Sequence, residues 1–308
     1  MNATEKEAML DSLLERLDHF DKTEGQVLGI QPFENRLAFV LQLIDSLRRV
    51  AYVSTMVARR DRMSHNRANP ASPLFDPIQA AILLREIDFE EACWLVFIAT
   101  HCGRNARKAW LLSRELYGGL GETVWTWSKV STDPEAFRTW VRQNRDQIHG
   151  SFGNHRKYES LNDGLKGTGL VVASYVHWVM SFGSHAEMFA QASANAQGNR
   201  RLAFHQLNKS MRQVLRFGRT GRFDYLTMVA KMGLADIEAD STYLDEATGP
   251  LRGARLFFDG QIDSRSSAKT LEARIAVLDD CLGVGKQALE DAMCNWQKSP
   301  NKYIGFRG

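Results

Sequence analysis

Apolar residues along this chain recur at the three- and four-residue spacing of amphipathic helices, and the two-residue alternation of half-buried strands is nearly absent. The pattern predicts an all-α protein. Helices are expected over 35–58, 105–117, 168–181, 185–196, 200–216, 222–232, 250–258, 268–281 and 285–297. Asp76-Pro77 and Asp133-Pro134 each place an N-cap acid before a proline at the first helical position, and Asp88 with Glu91 has capping-box spacing ahead of ACWLVFIATH. Gly103, Gly118 and Gly150 are expected to stop the helices these signals open.

Two stretches break the pattern, RRDRMSHNRANPASPLF at 59–75 and HGSFGNHRKYESLNDGLKGT at 149–168; both are polar, partly basic and punctuated by Gly or Pro. The second is the expected hinge. A chain of 308 residues can bury one large core or two smaller ones. The expected organisation is two helical lobes around a cleft, an N-terminal lobe over 1–150 and a C-terminal lobe over 151–308.

The net charge of +3 is too small to mark the whole surface as a polyanion binder, so any such role rests on local clustering. Cys93, Cys102, Cys281 and Cys294 lack the short paired spacing of a zinc site or redox dithiol, which fits a reduced, cytoplasmic protein. The N-terminal stretch is amphipathic and acidic, and no run of about 18 apolar residues occurs, so neither secretion nor membrane insertion is expected. Metal-spaced histidines, a Walker loop and a dinucleotide fingerprint are absent, so no metal and no cofactor are expected. Nor does the sequence call for an obligatory protein partner.

Charge clusters between residues 188 and 223. If 200–216 is one helix, Arg201, His205, Lys209, Arg212 and Arg216 share a stripe roughly 80° wide, opposite Phe204, Leu207, Met211, Val214 and Leu215. No acid lies within this stretch to relieve the repulsion, which favours phosphate contact by Arg201, Lys209, Arg212 and Arg216; the alternative is a solvated face. The next acid is Asp224, in FGRTGRFDYL. Thr220 is the expected N-cap of a helix there, and the helix N-terminus with nearby guanidinium groups would stabilise the negative charge of Asp224. Such a carboxylate can stabilise an oxocarbenium-like transition state or hold a water; a structural ion pair with Arg219 or Arg222 is the competing explanation.

GNHRKYES, residues 153–160, collects Asn154, His155, Lys157, Tyr158 and Glu159 in one loop, where they could bind substrate or merely face solvent; Glu159 is the second candidate carboxylate. Trp125, Trp127, Tyr158, Trp178, Phe223 and Tyr225 could sandwich an everted base, although aromatics at helical spacing are commonly core. LGVGK at 282–286, between two expected helices, is similar to the hairpin of helix-hairpin-helix modules, in which Gly283, Gly285 and Lys286 would meet a DNA phosphate. A short glycine-containing helix connection is the alternative.

Taken together, EACWLVFIATHCGRNARKAW, WTWSKV, GNHRKYESL, FGRTGRFDYLTM, GPLRGARLFF and EDAMCNWQKSP resemble the family of alpha-glutamyl/putrescinyl thymine pyrophosphorylases, clade 3, over about residues 85–300. The resemblance implies a helical fold distantly similar to helix-hairpin-helix DNA glycosylases and a substrate of double-stranded DNA carrying modified bases. It implies one of two chemistries. In one, a monofunctional glycosylase flips out and excises a bulky base such as glucosylated hydroxymethylcytosine from phage DNA, as antiviral defence. In the other, a transferase displaces pyrophosphate from an activated hydroxymethyl pyrimidine. The glycosylase is the leading expectation, with Asp224 assisting departure of the base, Glu159 as second acid, Arg222 and the aromatics at the base, and Arg219 among the DNA contacts.

Overall fold

The computed structural model describes residues 3–164 and 167–305; Leu165 and Lys166, within the expected hinge, lie outside the described residues. Among the described residues it is all-α, with fourteen α-helices and no strand beyond two isolated bridges. Packing divides the chain into two compact units, Met1–Val53 with Ala239–Gly308, and Ser54–Glu238. This division differs from the expected boundary at 150. Residues on both sides of Gly150 build one core: Phe97, ahead of it, stacks on Tyr175, beyond it, with ring centroids 3.6 Å apart.

The first unit contains α1 (Ala3–Thr23), the start of α2 (Phe33–Ala58), α12 (Thr248–Asp259), α13 (Ala268–Leu282) and α14 (Lys286–Trp296). Leu17, Phe39, Leu43, Phe257, Ile275, Leu278, Met293 and Trp296 are buried in its core. Truncating any of these aliphatic side chains to alanine would cost about 2–5 kcal/mol in lost transfer energy and cavity formation. Gly29 is required for close approach, because a Cβ there would lie 1.9 Å from the Leu256 carbonyl oxygen.

The α13–α14 connection corrects the expected phosphate hairpin. Gly283 ends α13 in the left-handed region, with φ 64°. The Gly285 amide then donates to Asp279 Oδ1 at 2.6 Å, and the buried Lys286 ammonium donates to Asp279 Oδ2 at 3.0 Å. Two of the three groups proposed to meet a phosphate, the Gly285 amide and the Lys286 ammonium, are engaged by an internal carboxylate, and the third, the Gly283 amide, donates to the Asp279 carbonyl at 2.6 Å. Asp279 and Lys286 form a buried polar lock beneath the hairpin, and Lys286 is not a surface cation.

The second unit contains α3 (Pro77–Leu84), α4 (Phe89–Cys102), α5 (Leu111–Tyr117), α6 (Trp127–Thr132), α7 (Pro134–Asn144), α8 (Thr168–Met180), α9 (His185–Asn195), α10 (Arg200–Ser210) and α11 (Arg219–Lys231). Its central element is α4, buried from Glu91 through Cys102. Asp88 caps α4 through the Glu91 amide at 3.0 Å, but Glu91 does not close the capping box. Its carboxylate turns inward to accept from the Tyr117 hydroxyl and the Trp127 amide, each at 2.6 Å. Asp76 and Asp133 cap α3 and α7 as their sequence context requires.

Three expected helices change at their ends. Residues 105–110 form a turn, because Asn105 Oδ1 accepts from the Arg107 and Lys108 amides, both at 3.0 Å, and so competes with helical pairing. The 200–216 helix stops at Ser210, and Arg216 takes a positive φ of 60°. The continuous cationic stripe expected on that helix therefore does not form. The 222–232 helix begins earlier, at Arg219, with Gly218 rather than Thr220 as N-cap. Gly150 is needed for close packing, a Cβ there lying 2.3 Å from Leu112 Cα, and not as a helix stop. All four cysteines are free, and among the described residues no helix is long and apolar enough to cross a membrane.

Candidate functional site

Asp224 lies in the second turn of α11, between Phe223 and Tyr225, both of which face the core. That register leaves the Asp224 side chain 49% exposed. Its partner is neither Arg219 nor Arg222. Arg156, from the 3-10 turn Asn154–Arg156, donates Nη2 to Asp224 Oδ2 at 2.9 Å and Nε to the Thr100 carbonyl at 2.6 Å. Gly103 and Gly153 let the two backbones approach closely: a Cβ on Gly103 would sit 3.2 Å from Arg156 Cγ, and the Gly153 amide donates to the Cys102 carbonyl at 2.8 Å. The end of α4 thus fixes the guanidinium that faces Asp224.

Glu159 follows in the same loop. Its side chain is 12% exposed, and Oε2 is buried without a hydrogen-bond partner, 3.7 Å from Arg216 Nε. Burial raises the Glu159 pKa above the usual carboxylate range, and the charges of Arg216 and Arg156 only partly oppose the rise. Arg216 also donates Nη2 to the Tyr158 carbonyl at 2.8 Å, which ties the loop to the segment before α11. Two carboxylates in unlike surroundings share this region, one exposed and paired, the other buried beside cations.

Behind Arg156, His101 is buried with Nε2 3.0 Å from Thr168 Oγ1. Desolvation, helped by the Arg156 charge, lowers its pKa to about 3, so the ring is a neutral packing element. Asn154, His155, Lys157 and Tyr158 are exposed around the pair. Tyr158 is 76% exposed, and Lys157 Nζ lies 5.0 Å from its ring centroid.

The remaining sequence candidates separate from this cluster. Trp125, Trp127, Trp178, Phe223 and Tyr225 are buried in the aromatic core, so Tyr158 is the member of that set available to stack on a base. Arg219 and Arg222 are also buried, Arg222 donating Nη1 to the Phe217 carbonyl at 3.0 Å, and neither can grip a phosphate as placed. Arg201 is neutralised by Glu238, with Nη2 to Oε1 at 2.8 Å, and Arg200 by Asp236 at 2.6 Å. The missing acids of the basic stretch arrive from beyond α11. Lys209 and Arg212 stay exposed.

Two features escaped the sequence. Arg156 stands inside GNHRKYES but carries no motif of its own. A buried relay runs from Glu90 through His185, with Nδ1 to Oε2 at 2.6 Å, to Tyr175, with Nε2 to the hydroxyl at 2.6 Å, and on to Tyr225 at 3.0 Å. Its members come from α4, α9, α8 and α11, a convergence that no local spacing announces. Among the described residues no group of three His, Cys, Asp or Glu is arranged to hold a metal ion.

Residues 34–308 match the family of alpha-glutamyl/putrescinyl thymine pyrophosphorylases, clade 3. The chain belongs to this family. The match spans the resemblance blocks and includes Arg156, Glu159, Arg216 and Asp224. Neither a curated protein nor a solved structure matches the chain.

Proposed function

We propose that this thymine pyrophosphorylase family member is a cytoplasmic enzyme acting on double-stranded DNA, where it replaces the diphosphate of an activated hydroxymethyl pyrimidine with an amine. The observation that carries the reading is that the family match contains the Arg156–Asp224 pair with the largely buried Glu159 side chain beside it. This favours the transferase over the glycosylase expected first.

The amine nitrogen bonds to the exocyclic methylene carbon, and the carbon–oxygen bond to the diphosphate breaks with its electron pair leaving on oxygen. The incoming amine must lose a proton. Glu159 takes it, since burial makes its carboxylate a stronger base than usual. Arg216, tied to the loop through the Tyr158 carbonyl, brings positive charge toward the departing diphosphate, and Asp224, held by Arg156, orients the ammonium form of the nucleophile before deprotonation. Tyr158 provides an exposed face for the pyrimidine. The test is a duplex with one diphosphate-activated hydroxymethyl pyrimidine, incubated with putrescine or glutamate. Diphosphate release with an amine adduct on an intact nucleoside is expected, and release of neither product refutes the reading.

Exposure of the positioned Asp224 carboxylate favours one second reading, excision of a bulky modified base from phage DNA. Asp224 would then stabilise the sugar cation or hold water, with the flipped base against Tyr158. Free base and an abasic site, without strand cleavage, would distinguish it from amine transfer.

A further inference from the structure

We propose that the second unit carries a separate phosphate subsite, a cavity of about 300 Å³ between the 67–76 segment and the 104–114 turn. Arg67, Arg104, Lys108 and Arg114 line it, and Asp76 is the one acid in its wall. One carboxylate leaves the wall with three cations in excess, and its oxygens are held by neutral donors rather than by any of the four. Oδ1 accepts from the Ile78 and Gln79 amides at 3.0 and 3.1 Å, and Oδ2 from Gln79 Nε2 at 3.1 Å. Like charges around a concave surface repel one another, and an oxyanion there would relieve them all at once. Three of the cations are arginines, whose planar forks match the oxygens of a phosphate.

The cavity is built by the turn that replaces the expected start of α5. Asn105 holds the Arg107 and Lys108 amides, Ala109 is forced to a positive φ of 48°, and the Asn105 amide group donates to the Phe152 carbonyl at 2.9 Å. Lys108 spends one ammonium hydrogen on the His149 carbonyl at 2.5 Å and keeps others for a ligand. Trp110 contributes an apolar face to the wall, which suits a phosphate carried on a sugar or base. The same segment reaches the candidate site, since a Cβ on Gly153 would lie 2.9 Å from the Arg104 carbonyl oxygen. The cavity therefore flanks the loop that bears Arg156 and Glu159.

The subsite rests on the proposed DNA chemistry for the origin of its ligand: the phosphate belongs either to the DNA strand beside the reacting nucleotide or to free diphosphate. Calorimetric titration of the full-length protein with inorganic pyrophosphate, and separately with an unmodified duplex at several salt concentrations, distinguishes them. Arg104→Gln with Lys108→Gln, and independently Arg114→Gln, are compared with wild type after thermal melts establish folding. If the cavity takes free diphosphate, pyrophosphate affinity falls tenfold or more and duplex affinity does not. If it takes strand phosphates, duplex affinity falls and the log–log salt slope of the double variant shrinks by about two. Both affinities unchanged in both folded variants would overturn the subsite. Failure of the transferase reading registers differently, as absence of amine adduct while these binding responses persist.

Discussion

Arg156 joins the carbonyl of Thr100 to the carboxylate of Asp224, donating at 2.6 Å to the first and 2.9 Å to the second. One end of the guanidinium is anchored in the core, and the other presents an acid to solvent. The arrangement separates the consequences of two substitutions. Asp224→Asn removes a charge that is half exposed, so stability should change by less than about 1 kcal/mol. Turnover on activated DNA should fall on the order of a hundredfold, as for loss of a single positioned electrostatic group. Arg156→Met should also lose turnover, but it leaves the Thr100 carbonyl unpaired and should cost about 1–3 kcal/mol of stability. Single-turnover kinetics with denaturant melts measure both, and full activity in Asp224→Asn removes Asp224 from the chemistry.

Glu159 gives a pH signature. Its folded-state pKa is raised by burial, so the folded protein binds this proton more tightly than the unfolded chain. Stability is therefore lost as pH climbs from the ordinary carboxylate range to the raised value, and the deficit stays constant above it. Glu159→Gln removes the titration. The variant should melt above wild type at neutral pH, with the difference vanishing toward pH about 4, while amine transfer is lost. A constant offset across the pH range would show that Glu159 ionises like an exposed carboxylate.

His101 titrates in the opposite sense. With a folded pKa lowered to about 3, it stays neutral where the unfolded chain takes up a proton, so stability is lost as pH falls below the normal histidine range and continues to fall until about 3. The slope from this single group is about 1.4 kcal/mol per pH unit. Its ring proton resonance, assigned by its disappearance in His101→Gln, should not move between pH 8 and about 5. Titration near the normal histidine value would mean that water reaches the ring.

Helix boundaries set by local chemistry were legible in the sequence. Asp76, Asp88 and Asp133 cap the helices their spacing announces, because capping involves residues only two or three positions apart. Asp224 and Glu159 were legible as candidates from their neighbours alone. Their partner Arg156 was not, since the Arg156–Asp224 bond spans 68 positions and depends on two glycines that let α4 and the 153–156 turn close together. The aromatic candidates failed for a related reason. Trp127 and Tyr225 have the composition of a stacking platform, but ring contacts with Trp94, Phe97, Tyr175 and His185 place them in the core.

The buried lock at Asp279 and Lys286 separates a structural hairpin from a DNA-binding one. Lys286 is 3% exposed and donates to Asp279 at 3.0 Å, so removing the carboxylate in Asp279→Ala strands an ammonium in the core. That change should cost about 3–5 kcal/mol, whereas an apolar replacement of both partners, Asp279→Leu with Lys286→Met, should recover much of the loss. Gly285 loses an acceptor for its amide in either case, so recovery should stop short of wild type. Chemical denaturation of the three proteins measures the coupling. Duplex affinity of the folded double variant should keep the wild-type salt dependence, because the ammonium it removes never faced solvent. A slope reduced by about one would instead return Lys286 to the DNA.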